Sequence, residues 1–443
     1  DTGMLLGLFQ KGTETHAELA LSAARKAARG WAETDWTARV ALVREAAARI
    51  DARIYEFGAV LSLEVGKNRM EALADAAEAA DLLRYAADQM EANNGFIIKM
   101  GEDPLEGYQA ENYSILKPYG VWLVISPYNF PAALTAGPMG AALVSGNTVV
   151  IKPATDTPWT SYLIAEAFEE AGFPDGVVNY VTGPGRTLGL ALVDSPEVDG
   201  ITFTGSYDVG MKIYRDFASG TYPRPIILEM GGKNPAVVSR NADLERAAQG
   251  IFRSAFGLQG QKCSATSRIL VEEPVYDDLI ERLKALTESA VMGDPTEQRT
   301  FLGPVANQSA YNDYKTFTED LSQSGTILTG ADITNVAAAF RPVHQSAIAD
   351  VRRSDPSASV YAYGSVVTGQ ARVGASDVDL LTIGLPTSDA NVVAAQLSER
   401  FASVCRAVEI ATAQAGDFVG DSDESYGNRV FLRHYCVLLE GPD

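Results

Sequence analysis

The chain has 443 residues, 46% of them apolar and 21% charged, the balance of a folded globular protein with room for two to four domains at about 150 residues each. Its 36 Lys and Arg against 57 Asp and Glu leave a formal charge of −21, which argues against a nucleic-acid scaffold or a polybasic membrane surface, because phosphate-rich partners need clustered cations. No apolar run approaches the roughly 18–20 residues that cross a bilayer, and no basic-then-apolar leader opens the chain. Helical periodicity covers 16–31, 36–66 and 68–92, segments rich in Ala, Glu and Arg with apolar residues three and four apart. From about 112 short β-branched runs follow at 121–125, 148–151, 177–181, 201–203, 225–228 and 236–238. Amphipathic stretches such as 159–171 and 186–193 lie between them. That alternation predicts βαβ units and a parallel sheet covered on both faces. A helix at 243–256 and a strand at 268–272 come next, then a strand at 326–328 between two glycines. Beyond a junction near 332 the pattern predicts a helix at 336–352, a strand at 360–363 and an acidic strand at 377–383. A helix at 389–403, a strand near 406–412, a Gly/Asp-rich turn at 416–423 and a strand at 429–439 complete it.

Three cysteines, Cys263, Cys405 and Cys436, form neither a disulfide framework nor a CxxC pair, and three histidines, His16, His344 and His434, are too few for a multi-His metal site. A reducing cytoplasm is the expected compartment. Cys263 stands in the small-residue loop Gly260-Gln-Lys-Cys263-Ser-Ala, where a thiol can be partly exposed and Lys262 adds positive charge. Glu229-Met-Gly-Gly-Lys233 places a carboxylate at a strand end beside a glycine pair that permits close approach. Asn129 lies between two prolines in Ser126-Pro-Tyr-Asn129-Phe-Pro131, directly after a strand. Taken singly, each has a plainer reading: an inert buried thiol, a solvated strand-end acid and a turn amide. Together they follow strands of one α/β sheet, where such sheets place their sites.

These residues sit in a longer ordered series. It comprises Gly146-Asn-Thr-Val-Val-Ile-Lys-Pro-Ala154, Gly172-Phe-Pro-Asp-Gly-Val-Val-Asn179, Phe203-Thr-Gly-Ser206, Leu228-Glu-Met-Gly-Gly-Lys233 and Gly260-Gln-Lys-Cys263. Over about 7–330 the sequence resembles the aldehyde dehydrogenase superfamily. Around 256–268 it is most similar to the 1-pyrroline-5-carboxylate (glutamate semialdehyde) dehydrogenase branch. The resemblance implies a small-molecule aldehyde as substrate and Cys263 as the nucleophile that forms a thiohemiacetal and then a thioester. It implies Asn129, with a backbone N–H at Cys263, as the oxyanion donor, and Glu229 as the general base for hydrolysis. Lys233 is a supporting candidate.

NAD or NADP is the implied cofactor. Gly183-Pro-Gly185-Arg-Thr-Leu-Gly189 follows a strand and opens a helix, one residue longer than the usual dinucleotide fingerprint. The resemblance assigns Ser206 to the pyrophosphate and Lys152 to the adenine ribose, with Ser126, Gly205 and Gly231 beside them. Thr155 stands where the family often carries a ribose-binding Glu. Loss of that carboxylate favours tolerance of a 2′-phosphate, while the neighbouring Asp156 leaves the choice of dinucleotide open.

Past Gly330 the family's Glu-x-Phe-Gly-Pro motif, its Gly-rich aromatic segment and its oligomer-forming strand are not found. Phe301-Leu-Gly-Pro304 instead fits an earlier loop that precedes a helix. Weak or absent turnover is therefore expected, and homo-oligomerisation stays open. Over about 335–443 the sequence resembles the DNA polymerase β-like nucleotidyltransferases through Gly364-Ser365 and, after eleven intervening residues, Asp377-Val-Asp379. That resemblance implies a nucleoside triphosphate held at Gly364 and Ser365 and Mg²⁺ on Asp377 and Asp379, two acids on one strand face. Glu409 is the candidate third carboxylate. The expected architecture is α/β. A Rossmann-like parallel sheet with N-terminal helices occupies 1–230, part of an aldehyde dehydrogenase catalytic domain 231–331, and a small α+β nucleotidyltransferase-like domain 332–443. Three readings stand: an aldehyde dehydrogenase, a Mg-dependent nucleotidyltransferase acting through the second module, or an inactive composite chain.

Overall fold

The computed structural model describes residues 5–107, 109–324, 328–329, 341–363, 377–414, 417 and 437–440. The chain divides into two compact units, 1–315 and 316–443, so the division falls ahead of the junction expected near 332.

Four helices open the first unit: α1 (Glu14–Glu33), α2 (Trp36–Ala52), α3 (Ile54–Val65) and α4 (Arg69–Ala92). The single helix expected over 36–66 is broken at Arg53, whose backbone (φ −112°, ψ 18°) leaves the helical region. Gly66 ends α3 in the left-handed conformation, φ 84°, where a side chain would also strike the Pro304 carbonyl. Asn68 then caps α4, its side-chain oxygen accepting the Glu71 N–H at 3.0 Å. The small residues Ala72, Ala76, Ala79 and Ala80 bury completely, so neighbouring helices approach closely around α4.

A short antiparallel ribbon, β1 (Ile97–Lys99) with β2 (Tyr113–Ile115), was not legible in the sequence, because every residue in it is exposed and nothing alternates. The parallel core then runs β3 (Val121–Ile125), α5 (Ala133–Val144), β4 (Thr148–Lys152), α6 (Pro158–Glu170) and β5 (Val178–Tyr180). A π turn, Gly185–Gly189, leads into α7 (Leu190–Val193), followed by β6 (Gly200–Gly205), α8 (Tyr207–Ala218) and β7 (Ile226–Met230). The strand order is β5-β4-β3-β6-β7, all parallel. From β3 the chain winds first to β4 and β5 and then returns to β6, making the β3/β6 border the switch point where such sheets open a crevice at their carboxyl ends. The continuous apolar runs of β3 and β4 agree with burial on both faces.

A second small sheet pairs β8 (Asn234–Val238) with β9 (Thr266–Val271) across α9 (Leu244–Phe256). Ala236, Val238, Ile269 and Val271 share a core with α9 and α10 (Tyr276–Glu288). Helix α11 (Gln308–Ser324) begins right after the Phe301–Asn307 loop, as expected of that segment.

The second unit holds α12 (Arg341–Ser354), β10 (Ser359–Tyr363), β11 (Val378–Ile383), α13 (Thr387–Arg400), β12 (Val408–Ala413) and β13 (Val437–Glu440). Its sheet has the order β12-β11-β10-β13, with β11 and β12 parallel and the other pairs antiparallel. Val360, Ala362, Val378 and Leu380 bury one face of it among themselves, α12 and α13. Most of the strand expected at 326–328 and of the turn at 416–423 lies outside the described residues, as do 429–436 of the last expected strand.

Candidate active site

The carboxyl ends of β3, β4, β6 and β7 surround a cleft of about 940 Å³. Cys263, Glu229 and Asn129 all line it, together with Ser126, Lys152, Gly185, Gly205, Ser206 and Gly231. Asn129 and Cys263, 134 positions apart in sequence (263 − 129 = 134), thus share one cleft.

Cys263 is an exposed free thiol in the loop between α9 and β9. That loop is unusual: Leu258 (φ 50°), Gln259 (φ 55°) and Gly260 (φ 72°) are successive left-handed residues. Two of them are not glycine, a conformation that costs about 1–3 kcal/mol per residue and persists only where the surroundings enforce it. The Asn129 amide is fixed at both ends. Its Oδ1 accepts the Phe130 N–H at 3.0 Å, and its Nδ2 donates to the Gln261 carbonyl at 2.7 Å. One amide N–H of Asn129 is left over beside the cysteine loop. Glu229 is exposed at the end of β7, opposite Thr204 of β6. Asn234, one residue past the Gly-Gly-Lys run, donates to the Cys263 carbonyl at 2.7 Å. Sequence reading missed that contact, although the residue adjoins the Glu229 motif. Lys262 was expected to lend its charge to the thiol. Its Nζ is instead spent on Glu71, 3.2 Å away.

The other half of the cleft has the chemistry of an anion cradle. Ser206 precedes the twelve-residue helix α8 without using its hydroxyl as a cap, leaving both that group and the helix's N-terminal N–H groups for an anionic ligand. A Cβ on Gly185 would meet nothing within 4 Å, so the chain there is open to an approaching ligand. Ser126 Oγ is buried without a hydrogen-bond partner among the described residues. Lys152 is buried with Nζ donating to the Pro153 carbonyl at 2.8 Å, and burial pulls its ammonium below the ordinary lysine range against the opposing charge of Asp156. These groups fit a dinucleotide phosphate and ribose. Two expected cofactor residues are not brought to the cleft. Gly183 is buried, and a Cβ there would meet the Gly12 carbonyl and Leu188, so packing rather than ligand approach explains the glycine. Thr155 is exposed outside the lining. The adjacent Asp156 accepts a hydrogen bond from Asn307 at 2.7 Å. A second hollow, of about 910 Å³ between α1 and α7, carries none of this chemistry.

In the second unit Asp379 lies opposite Glu409 on parallel strands, on the side of the sheet away from Val378 and Leu380. Burial raises the Asp379 carboxyl, with the charges of Glu409 and Asp377 adding to it. Asp377 is gripped by the Arg406 guanidinium (Nε to Oδ1 2.9 Å), which holds its carboxyl below the usual range. Among the described residues no group of three His, Cys, Asp or Glu is placed to hold a metal ion. The Mg²⁺ site expected on Asp377 and Asp379 is thus met by an ion pair at its first member. Gly364 and Ser365 lie outside the described residues.

Comparison with known proteins supplies the family. The family model described as "Aldehyde dehydrogenase family" matches residues 1–368, farther than the resemblance read from motifs, and overlaps a "Nucleotidyltransferase domain" match at 345–409. The chain is 42% identical over 363 residues to a 1-pyrroline-5-carboxylate dehydrogenase of Geobacillus sp. (strain WCH70), covering 80% of this chain and 68% of that protein. Among solved structures, it is similar to an NAD-dependent aldehyde dehydrogenase from Sinorhizobium meliloti, with a TM-score of 0.70, 29% identity, 94% of this chain and 74% of that one. Glyceraldehyde-3-phosphate dehydrogenase GapN from Methanocaldococcus jannaschii, solved with NADP, gives a TM-score of 0.69 at 25% identity, covering 74% and 70%. Family members thus use either dinucleotide. A thiol, an acid and an amide converging on an anion cradle at the sheet's switch point agree with these similarities, and the chain belongs to the aldehyde dehydrogenase family of oxidoreductases.

Proposed function

We propose that this chain oxidises an aldehyde, glutamate semialdehyde in the first instance, to its carboxylic acid with NAD or NADP through a thioester on Cys263. The observation that carries the reading is the single cleft shared by Cys263, Asn129, Glu229 and the Ser206–Ser126 cradle. With its proton released to solvent, the Cys263 sulfur attacks the carbonyl carbon as thiolate, and the remaining N–H of Asn129, held in place by the bond of that amide to Gln261, donates to the oxyanion that forms. Ser206, Lys152 and the open turn at Gly185 would hold a dinucleotide, which when bound would supply the acceptor for the hydride lost as the Cys263 adduct becomes a thioester. Glu229 then takes a proton from water, which attacks the thioester and releases the acid and the free thiol. The identity to 1-pyrroline-5-carboxylate dehydrogenases supports the choice of aldehyde.

The test is growth of reduced-dinucleotide absorbance when the full chain meets glutamate semialdehyde with NAD or NADP. Cys263→Ala is expected to lower that rate by at least about 10³-fold, as removal of a nucleophile does, with dinucleotide binding retained. Turnover that persists in Cys263→Ala would falsify the thioester route.

A further inference from the structure

The Asn129 and Cys263 loops converge on the first two turns of α4 and on Lys67 just before it, which the reaction itself does not use. Lys67 and Asp75 are both fully buried, with Nζ and Oδ2 2.8 Å apart. The Lys67 ammonium also sits 3.5 Å from the centre of the Phe130 ring, the residue next to Asn129. Asp75 Oδ1 accepts the Ala133 N–H at 2.9 Å, anchoring the start of α5 directly after the Asn129 loop. Burial pulls the Lys67 ammonium down while Asp75 opposes it, the situation in which removing either partner strands the other. One turn earlier on the same face of α4, Glu71 reaches the other loop. It accepts the Leu258 N–H at 3.2 Å and pairs with Lys262 Nζ at 3.2 Å. Leu258 begins the left-handed run before Cys263, so the bond falls where the backbone needs enforcement. A Cβ on Gly257 would lie 2.7 Å from Lys262 Nζ and 2.8 Å from Glu71 Oε1, so the chain leaves room there for the ion pair alone.

We propose that Lys67, Glu71 and Asp75 are positioning residues: from α4 and the residue before its cap they hold the Asn129 loop and the Cys263 loop in register, so that oxyanion donor and nucleophile meet the same carbonyl. The inference rests on the dehydrogenase reading, because that reading makes the register matter. None of the three touches the reacting atoms. They act through Phe130, Ala133, Leu258 and Lys262.

Two variants of the full chain test it. Glu71→Ala removes both bonds to the cysteine loop, and Gly257→Ala wedges the Glu71–Lys262 pair apart at a backbone position that alanine tolerates (φ −53°). Each is expected to lower kcat by about tenfold or more while leaving the dinucleotide KM within about twofold, since small misplacements of reacting groups act on the chemical step. Glu71→Gln keeps an acceptor for Leu258 and is expected to recover most of that loss. Hydrogen exchange supplies a readout free of turnover, with amides of 257–263 exchanging faster in Glu71→Ala and Gly257→Ala and returning toward wild type in Glu71→Gln. Unchanged kcat, or unchanged exchange in that loop for both alanine variants, overturns the proposal. Should the wild-type chain show no turnover, the dehydrogenase reading fails alone. The exchange measurement then still decides whether α4 holds the loop.

Discussion

Ser126 is 3% exposed and lines the cleft, and its hydroxyl has no hydrogen-bond partner among the described residues. An orphaned buried polar group costs about 1–3 kcal/mol, and Ser126 keeps that cost at the end of a strand otherwise packed with valine and leucine. Ser126→Ala is therefore expected to leave the free chain as stable or up to about 1 kcal/mol more stable, while dinucleotide affinity falls by roughly three- to tenfold. Thermal melts and calorimetric titration with NAD and NADP check both halves, and a variant that binds as before but melts earlier contradicts the assignment. Gly183 shows the limit of motif reading. A glycine pattern is visible in the sequence, but Gly183 is small because Gly12 and Leu188 crowd it, whereas Gly185 faces open space. The sequence does not separate the two cases, because the backbone that crowds Gly183, at Gly12, is 171 positions away (183 − 12 = 171). Lys67 and Glu71 are ordinary helix-start charges until Phe130 and Leu258 are placed beside them.

Helix α6 shows how one element finishes another. Pro158 occupies its first turn, and its N-cap residue Thr157 makes no side-chain cap. The missing acceptor comes from Glu64 of α3, which takes the Trp159 N–H at 2.7 Å, the Thr160 N–H at 3.0 Å and the Thr160 hydroxyl at 2.6 Å. Burial nevertheless raises the Glu64 carboxyl above its ordinary value, outweighing those three bonds. A carboxyl whose folded pKa is raised favours the fold fully below its unfolded pKa, and that contribution is lost as pH climbs through the folded value. Wild type is therefore expected to lose stability relative to Glu64→Gln between mildly acidic and neutral pH. Chemical denaturation of both proteins across that window measures it, and a difference that is flat or grows with pH rules the linkage out. The break between α2 and α3 had no signal of this kind. No glycine or proline marks Arg53, and the apolar spacing runs on through it. The guanidinium's ion pairs with Glu56 and with Glu166 of α6 accompany the corner.

The molecule carries separate hydrophobic cores. One gathers α2–α6 against β3 and β4, another packs α1, α7 and α8 on the opposite face of the parallel sheet, and the second unit closes its own around β10 and β11. Leu380, fully buried, belongs to the core that the described residues of α12, β10, β11, α13 and β12 form. Leu380→Ala is expected to destabilise the second unit by about 2–5 kcal/mol, the cost of a lost side chain plus its cavity, and to leave the melting of 1–315 in place. Calorimetry resolves the two transitions, and a single transition that moves as a whole contradicts independent cores. Much of this architecture was readable beforehand, since alternating helix and strand periods force a parallel sheet and place its ligand cleft at the carboxyl ends of the strands. Cys263, Glu229 and Asn129 were readable as residue types, because side-chain chemistry is local, but only Glu229 and Asn129 follow strands, Cys263 coming instead after helix α9. Which glycines face open space, where Lys262 spends its charge, that Arg406 pairs with Asp377, and that α4 bonds to both the 258–262 segment and Ala133 are visible only in three dimensions. Each depends on a contact between residues far apart along the chain, and a linear pattern records periodicity and composition but not the partner that folding brings to each group.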